Sequence, residues 1–245
     1  MSNRTKVYFD GNELTRGFVV SDLRTSLLPK NVETVSVPGR DGTLYQGATL
    51  AERSVTLTLT VRERTQRALE EATRSLAAAL DVDAPAPLAI SIWGGLYLMA
   101  IPVSDGDGAR KVNAVSYEVT FRATDPSFHG GTRTVEIPSG DSVTFRVRGT
   151  LPCAPTLEVT GARGDSNGNW TLMLDDGSFM RVQLPSGGSG SRIVADCENR
   201  TLKVNGATKV LSTDSDWLVL GRGDRTVTMT GTASTATLTF HERWV

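Results

Sequence analysis

Arg53-Ser-Val-Thr-Leu-Thr-Leu-Thr-Val-Arg62 alternates strictly, with Val55, Leu57, Leu59 and Val61 on one face and hydroxyl residues between them. A period of two, rich in β-branched residues, predicts a half-buried strand. The same pattern recurs in Val115-Ser-Tyr-Glu-Val-Thr-Phe-Arg122, Ser142-Val-Thr-Phe-Arg-Val147, Thr226-Val-Thr-Met-Thr230 and Ala236-Thr-Leu-Thr-Phe240. Strands with one wet face belong to antiparallel sheets, so the fold class predicted is mainly β.

One helix interrupts the strands. Leu69, Ala72, Leu76 and Leu80 recur at helical spacing, with Arg67, Glu70, Glu71 and Arg74 on the other side. Thr65 is placed to cap it, Glu70 stands four residues before Arg74 in the favourable ion-pair order, and Asp81-Val-Asp-Ala-Pro-Ala-Pro87 ends it. The small side chains of Ala77, Ala78 and Ala79 suit close packing on a sheet. Gly94-Gly95 reads as a hairpin turn joining strands over 88–93 and 96–101.

Composition shifts near Ser127-Phe-His-Gly-Gly-Thr132. Strands surround one helix before it; after it come only strands and turns. A boundary placed there divides the chain into an N-terminal β-rich domain with one α-helix (1–130) and a C-terminal β-sandwich (131–245). In the second part, Asn167-Gly168, Asp176-Gly177 and Asn205-Gly206 each read as hairpin turns. Pro185-Ser-Gly-Gly-Ser-Gly-Ser191 is flexible in composition and reads as a long loop within that domain.

Acidic and basic residues nearly cancel, which argues against a strong nucleic-acid or membrane field over the whole surface. No apolar run approaches the roughly 20 residues that cross a bilayer, and the opening MSNRTKVYFDG shows no secretory signal. Cys153 and Cys197 lie outside any CxxC pair, and His129 and His241 are the only histidines. A disulfide between them is open in an oxidising setting; without an export signal, two reduced buried thiols are favoured, and no zinc site is expected. Asp105-Gly-Asp-Gly108 resembles the start of a calcium loop, but the twelfth position is Ser116 rather than Glu, so a turn is expected. Asp175-Asp176 before Gly177 reads as turn chemistry, as do Arg163-Gly-Asp165 and Arg222-Gly-Asp224. The sequons at Asn3, Asn169 and Asn199 are expected to go unused, since no export signal is visible. No nucleophile elbow, zincin helix or Walker loop is present. No catalytic residue, metal ligand or cofactor is expected.

Val35-Ser-Val-Pro-Gly-Arg-Asp-Gly-Thr-Leu-Tyr45 offers three readings: a GxxG nucleic-acid clamp, an anion cradle, or a tight turn. The clamp sits between helices and the cradle needs a helix directly after it. Both flanks here are strand-like. The turn is favoured: Pro38 fixes φ, Gly39 and Gly42 admit positive φ, and Asp41 can bond nearby amides.

Taken in order, Val37-Pro-Gly-Arg-Asp-Gly42, the strand from Arg53, the helix, and Val119-Thr-Phe-Arg-Ala-Thr-Asp-Pro126 resemble the distal tail protein (Dit) family of long-tailed phages. So do Cys153-Ala-Pro-Thr-Leu-Glu-Val159, the segment 193–206, and the terminal Leu-Thr-Phe-His-Glu-Arg-Trp-Val245. The resemblance spans nearly the whole chain and marks Pro38, Gly39, Asp41, Gly42, Asp125 and Pro126 as structural motif positions. It implies a galectin-like C-terminal sandwich and a scaffolding role without catalysis. The expected assembly is a homohexameric ring, single or stacked, at the distal end of the tail tube, crossed by DNA at ejection. The partners it implies are further copies of the chain, the tail tube protein, the tail-associated hub protein and receptor-binding proteins. No sequence-specific nucleic acid and no membrane insertion are implied. The location implied is the virion tail tip, with the host cytoplasm during assembly.

Two other classes compete. A glycan-binding adhesion module would use exposed aromatic platforms, for which Trp170 and Trp217 are the candidates; the plainer reading makes both core residues. A wall-degrading enzyme would need Cys153 paired with His129 or His241.

Overall fold

The computed structural model describes residues 5–103, 108–185 and 190–245, so the calcium-like loop at Asp105, the sequon at Asn3 and most of the 185–191 loop lie outside the described residues. The chain divides into two units, residues 1–128 with Val245, and 129–244.

In the first unit the elements run β1 (Val7–Phe9), β2 (Asn12–Glu13), β3 (Val19–Thr25), β4 (Lys30–Ser36), β5 (Thr43–Leu50), β6 (Arg53–Arg62), α1 (Gln66–Leu80), β7 (Ala86–Ile90), β8 (Tyr97–Pro102), β9 (Ala109–Lys111) and β10 (Ala114–Ala123). The strand 53–62 is thus present as read. It pairs antiparallel with β10 along its whole length, and with β3 on its other edge. The register sets Val55 opposite Phe121, Leu57 opposite Val119, Leu59 opposite Tyr117 and Val61 opposite Val115. All four β6 apolar residues are buried, each contributing about 1.5–3 kcal/mol. The opposite face is a hydroxyl ladder: Thr56 meets Thr120 at 3.1 Å and Thr60 meets Ser116 at 2.8 Å.

Helix α1 covers the apolar face with Leu69 and Leu76. Thr65 caps it by accepting from the Ala68 N–H at 3.2 Å, and Thr73 reaches the Tyr117 hydroxyl at 3.2 Å. Two expectations need correction. The Glu70 carboxylate pairs with Arg110 on β9, while Arg74 Nε donates to the Glu70 carbonyl at 3.3 Å. A tertiary partner thereby displaces the local i,i+4 pair. Ala77 and Ala78 face solvent, so the close-packed face of the helix is narrower than the alanine run. β7 and β8 do form a hairpin, with Gly94 and Gly95 at φ +66° and +91°. Ser91–Trp93 is a 3-10 turn rather than the end of the strand.

The second unit runs β11 (Phe128–Glu136), β12 (Ser142–Val147), β13 (Thr156–Ala162), β14 (Asn169–Leu174), β15 (Phe179–Gln183), β16 (Ser191–Asp196), β17 (Thr201–Val204), β18 (Ala207–Lys209), β19 (Gly223–Thr230) and β20 (Thr235–Trp244). The change of composition near 127–132 coincides with the opening of β11 at Phe128. The order β18-β17-β16-β13-β20-β11 makes one sheet and β12-β19-β14-β15 the other. Between them Leu157, Trp170, Leu172, Met180, Leu238 and Phe240 form the core, which makes the unit a β-sandwich.

Asp176-Gly177 closes the paired strands β14 and β15, and Asn205-Gly206 closes β17 and β18 with φ +51° and +82°. Asn167-Gly168 is different. It ends a turn in which Gly168 N–H donates to the Asp165 carbonyl at 2.9 Å, but β13 pairs with β16 and β20, not with β14. The turn chemistry is right and the hairpin is absent, because a Greek-key sandwich sends neighbours in sequence to different sheets.

Candidate functional site

The strands β4 and β5 form a separate two-stranded ribbon. Every residue of β4 is exposed, and in β5 only Gly47 is half-buried. The register places Lys30, Val32 and Thr34 beside Leu50, Ala48 and Tyr45 on one face. Asn31, Glu33 and Val35 lie beside Thr49, Gly47 and Leu44 on the other. The pairing slips by one residue after Glu33, giving a bulge. Apolar side chains stand in water on both faces: Val32 is 57% exposed, Tyr45 67%, and Val35 and Leu44 39% each. Leu27, just before the ribbon, is 89% exposed.

The Pro38–Gly39–Arg40–Asp41–Gly42 stretch is the tip of this ribbon. Arg40 N–H donates to the Val37 carbonyl at 3.2 Å. With Pro38 at the second position and Gly39 at φ +79° in the third, this is a type II turn. Gly42, at φ +80°, turns the chain back into β5. Asp41 makes no side-chain hydrogen bond among the described residues; the expectation that it ties down the bend is corrected, and proline and glycine geometry alone set the tip.

The root of the ribbon is fixed by Arg53, which is 2% exposed. Its Nη1 donates to the carbonyls of Ser26 at 2.6 Å and Leu27 at 3.5 Å, and its Nε donates to the Pro126 carbonyl at 2.8 Å. The guanidinium lies 4.7 Å from the centre of the Phe128 ring. Burial lowers its pKa from the usual arginine value. Asp125 holds the same corner by accepting from the Ser127 N–H at 3.1 Å and its hydroxyl at 2.6 Å. Asp125 and Pro126 are therefore brought together with Arg53, whereas Pro38, Gly39, Asp41 and Gly42 sit at the far end of the ribbon. Sequence reasoning missed Arg53. An arginine in register with the buried face of an alternating strand was the available signal.

The other candidates do not form a site. Cys153 and Cys197 are free, buried thiols, each pushed up to about 11 mainly by burial. The Cys153 Sγ faces the Leu220 carbonyl at 3.8 Å, while His241 is exposed and 3.5 Å from the Thr132 hydroxyl. A thiol so held is a poor nucleophile at neutral pH. Trp170 has 0% exposure and cannot offer a ring face to a sugar; that candidacy is corrected. Trp217 is half-buried against the sandwich core. Asp165 accepts from the Asn167 and Asn169 N–H groups, and Asp224 lies in β19 facing Arg146 at 3.9 Å, so the two Arg-Gly-Asp triplets serve a turn and a strand. Among the described residues no group of three His, Cys, Asp or Glu side chains could hold a metal ion, and no helix is long and apolar enough to cross a membrane.

Two protein-family models match the chain, one within each unit. Residues 10–123 match the phage tail protein RIFT-related domain, and residues 148–244 match the siphovirus-type tail component, C-terminal domain. The class of molecule is a phage tail structural component. More narrowly, the chain belongs to the siphophage distal tail (Dit) family of baseplate components.

Solved structures share the fold. The Dit protein of phage SPP1, described as a paradigm of hub adsorption apparatus in phages infecting Gram-positive bacteria, is 19% identical, with a TM-score of 0.83 over 98% of this chain and 99% of that one. Chains of the phage P2 baseplate in its activated conformation, with calcium or strontium, are 9% and 8% identical. Their TM-scores are 0.52 and 0.51, over 99% and 98% of this chain and 98% and 97% of theirs. No curated protein matches the sequence.

Proposed function

We propose that the chain is a non-enzymatic, ring-forming scaffold at the distal end of the tail tube. Six copies close around a channel that DNA crosses at ejection. The ring joins the tube protein on one side to the tail-associated hub protein on the other, and the C-terminal sandwich is the surface available to receptor-binding proteins. Copies are made in the host cytoplasm and end in the virion tail tip.

The observation that carries this reading is the β4–β5 ribbon. A two-stranded ribbon alone is marginal in water, and one with apolar side chains on both faces lacks the buried side that stabilises a hairpin. Exposed apolar surface of this kind marks a contact with another molecule. A self-contact between two different patches is head-to-tail, and head-to-tail contacts close into rings when the rotation permits. The near-neutral composition suits a channel wall on which DNA does not stick.

Native mass spectrometry with negative-stain imaging of the purified chain tests this. Six-fold rings, single or stacked in pairs, are expected. A strictly monomeric species at high concentration contradicts the reading.

A further inference from the structure

A groove of about 470 Å³ opens between α1 and the segment running from β2 to β3 in the first unit. Buried Leu14, Phe18 and Leu76 lie at its base, and most of its open wall is polar. Its rim carries Glu13, Arg16 and Glu71. Glu13 is already engaged, by Lys6 Nζ at 3.6 Å and the Thr15 hydroxyl at 3.1 Å. Arg16 and Glu71 are exposed and have no side-chain hydrogen bond or ion pair among the described residues. The groove thus presents one unspent cation and one unspent anion above an apolar base.

The ribbon tip presents the complement. Val37 and Pro38 are exposed apolar side chains at the turn, followed at once by Arg40 and Asp41. Neither charge has an intramolecular partner among the described residues. A volume of this size is in the range, about 300–1,000 Å³, of clefts that enclose a small ligand, which is also the scale of a turn with a few side chains. The tip stands in solvent, so the groove is not filled by the tip of its own chain.

Resting on the ring reading, we propose that the ribbon tip of one copy docks in this groove on the next copy. Val37 and Pro38 cover the apolar base, Arg40 pairs with Glu71, and Asp41 pairs with Arg16. Tip and groove are different surfaces, so the contact repeats head-to-tail around the ring. Opposite charges at the rim of such a contact fix its register and orientation more than its strength.

The test mixes Arg40→Cys chains with Glu71→Cys chains under mild oxidation, so a bond between these two positions can only join two copies. Both native cysteines are buried and do not compete. Peptide mapping is expected to find position 40 linked to position 71. In parallel, Arg40→Glu or Glu71→Arg alone raises the concentration at which rings half-assemble by about tenfold, and the double charge swap restores it to near the wild-type value. Circular dichroism melts confirm that each variant is folded. Rings formed by the wild-type chain, with no 40–71 link in the mixed cysteine variants and no rescue by the double swap, overturn the groove assignment and leave the ring reading standing. Monomers that show no link overturn both.

Discussion

The chain contains two hairpins of similar chemistry and opposite fate. β14 and β15 are joined at Asp176-Gly177, and β4 and β5 at Pro38–Gly42. Both mix apolar and polar residues, and both turn on glycine at positive φ. Along β14, Trp170, Leu172 and Leu174 are buried in the sandwich. Along β4, nothing is buried. The difference lies in what stands opposite each ribbon. One has a facing sheet in its own unit and the other has solvent. Apolar residues in a strand therefore report that a face is meant to be covered, without reporting by which chain.

The largest break in the comparison comes from cutting both hairpins alike. Leu172→Ala in β14 is expected to cost about 2–5 kcal/mol of sandwich stability, read by denaturant titration, with the midpoint lowered and the slope kept. Leu44→Ser in β5 is expected to change stability by no more than about 0.5 kcal/mol while depleting rings in native mass spectra. An equal loss of stability from both would mean that the ribbon is covered within its own chain.

Arg53→Met comes next. It strips the Ser26, Leu27 and Pro126 carbonyls of their donor, a cost of about 1–3 kcal/mol for buried groups left unpaired. The loss is expected in the first unit, seen as faster hydrogen exchange over 25–30 and 50–54. Unchanged exchange there would show that the ribbon root does not depend on the guanidinium. Gly42→Val is smaller. No atom lies within 4 Å of an added Cβ, so only the backbone at φ +80° resists, at about 1–2 kcal/mol. The expected result is an intact melt of the body with fewer rings; normal rings would show that the tip tolerates another bend.

The smallest effect is acid sensitivity confined to the sandwich. Asp196 accepts from the Asn199 N–H at 3.0 Å and side-chain amide at 2.7 Å, and from the Glu198 N–H at 3.0 Å, which lowers its pKa. A carboxylate lowered on folding contributes stability that is complete above the ordinary aspartate value of about 3.9 and lost as pH falls through the folded value. Asp196→Asn should make the fall in melting temperature below that pH shallower, with a constant offset from wild type above pH 5. A parallel shift across the whole range would assign the effect to something other than ionisation.

Much of the architecture was legible because it is local. The β6 alternation, the Thr65 cap, the Gly94-Gly95 turn and the Asn205-Gly206 hairpin follow from nearest-neighbour chemistry. What escaped was set at long range. Glu70 chose Arg110 over Arg74 because β9 brings the arginine across, and no periodicity encodes that meeting. Asn167-Gly168 makes its turn, yet the strands it separates belong to different sheets. Arg53 opens the alternating strand, and its neighbours in sequence do not encode the closing of Ser26, Leu27 and Pro126 around it. The ribbon was the subtlest case: Thr34-Val35-Ser36-Val37 has the pattern of a half-buried strand, and only the fold shows that no part of its own unit buries it.

Hydrogen exchange over the ribbon, on rings and on the same protein diluted below the assembly concentration, tests the account most directly. An isolated two-stranded ribbon opens at little cost, so its amides exchange quickly unless another surface covers them. The amides of Lys30–Ser36 and Thr43–Leu50 are expected to slow by orders of magnitude on assembly, while those of β14 and β15 stay unchanged. Equal exchange of the ribbon in both states would contradict the claim that a second copy covers it.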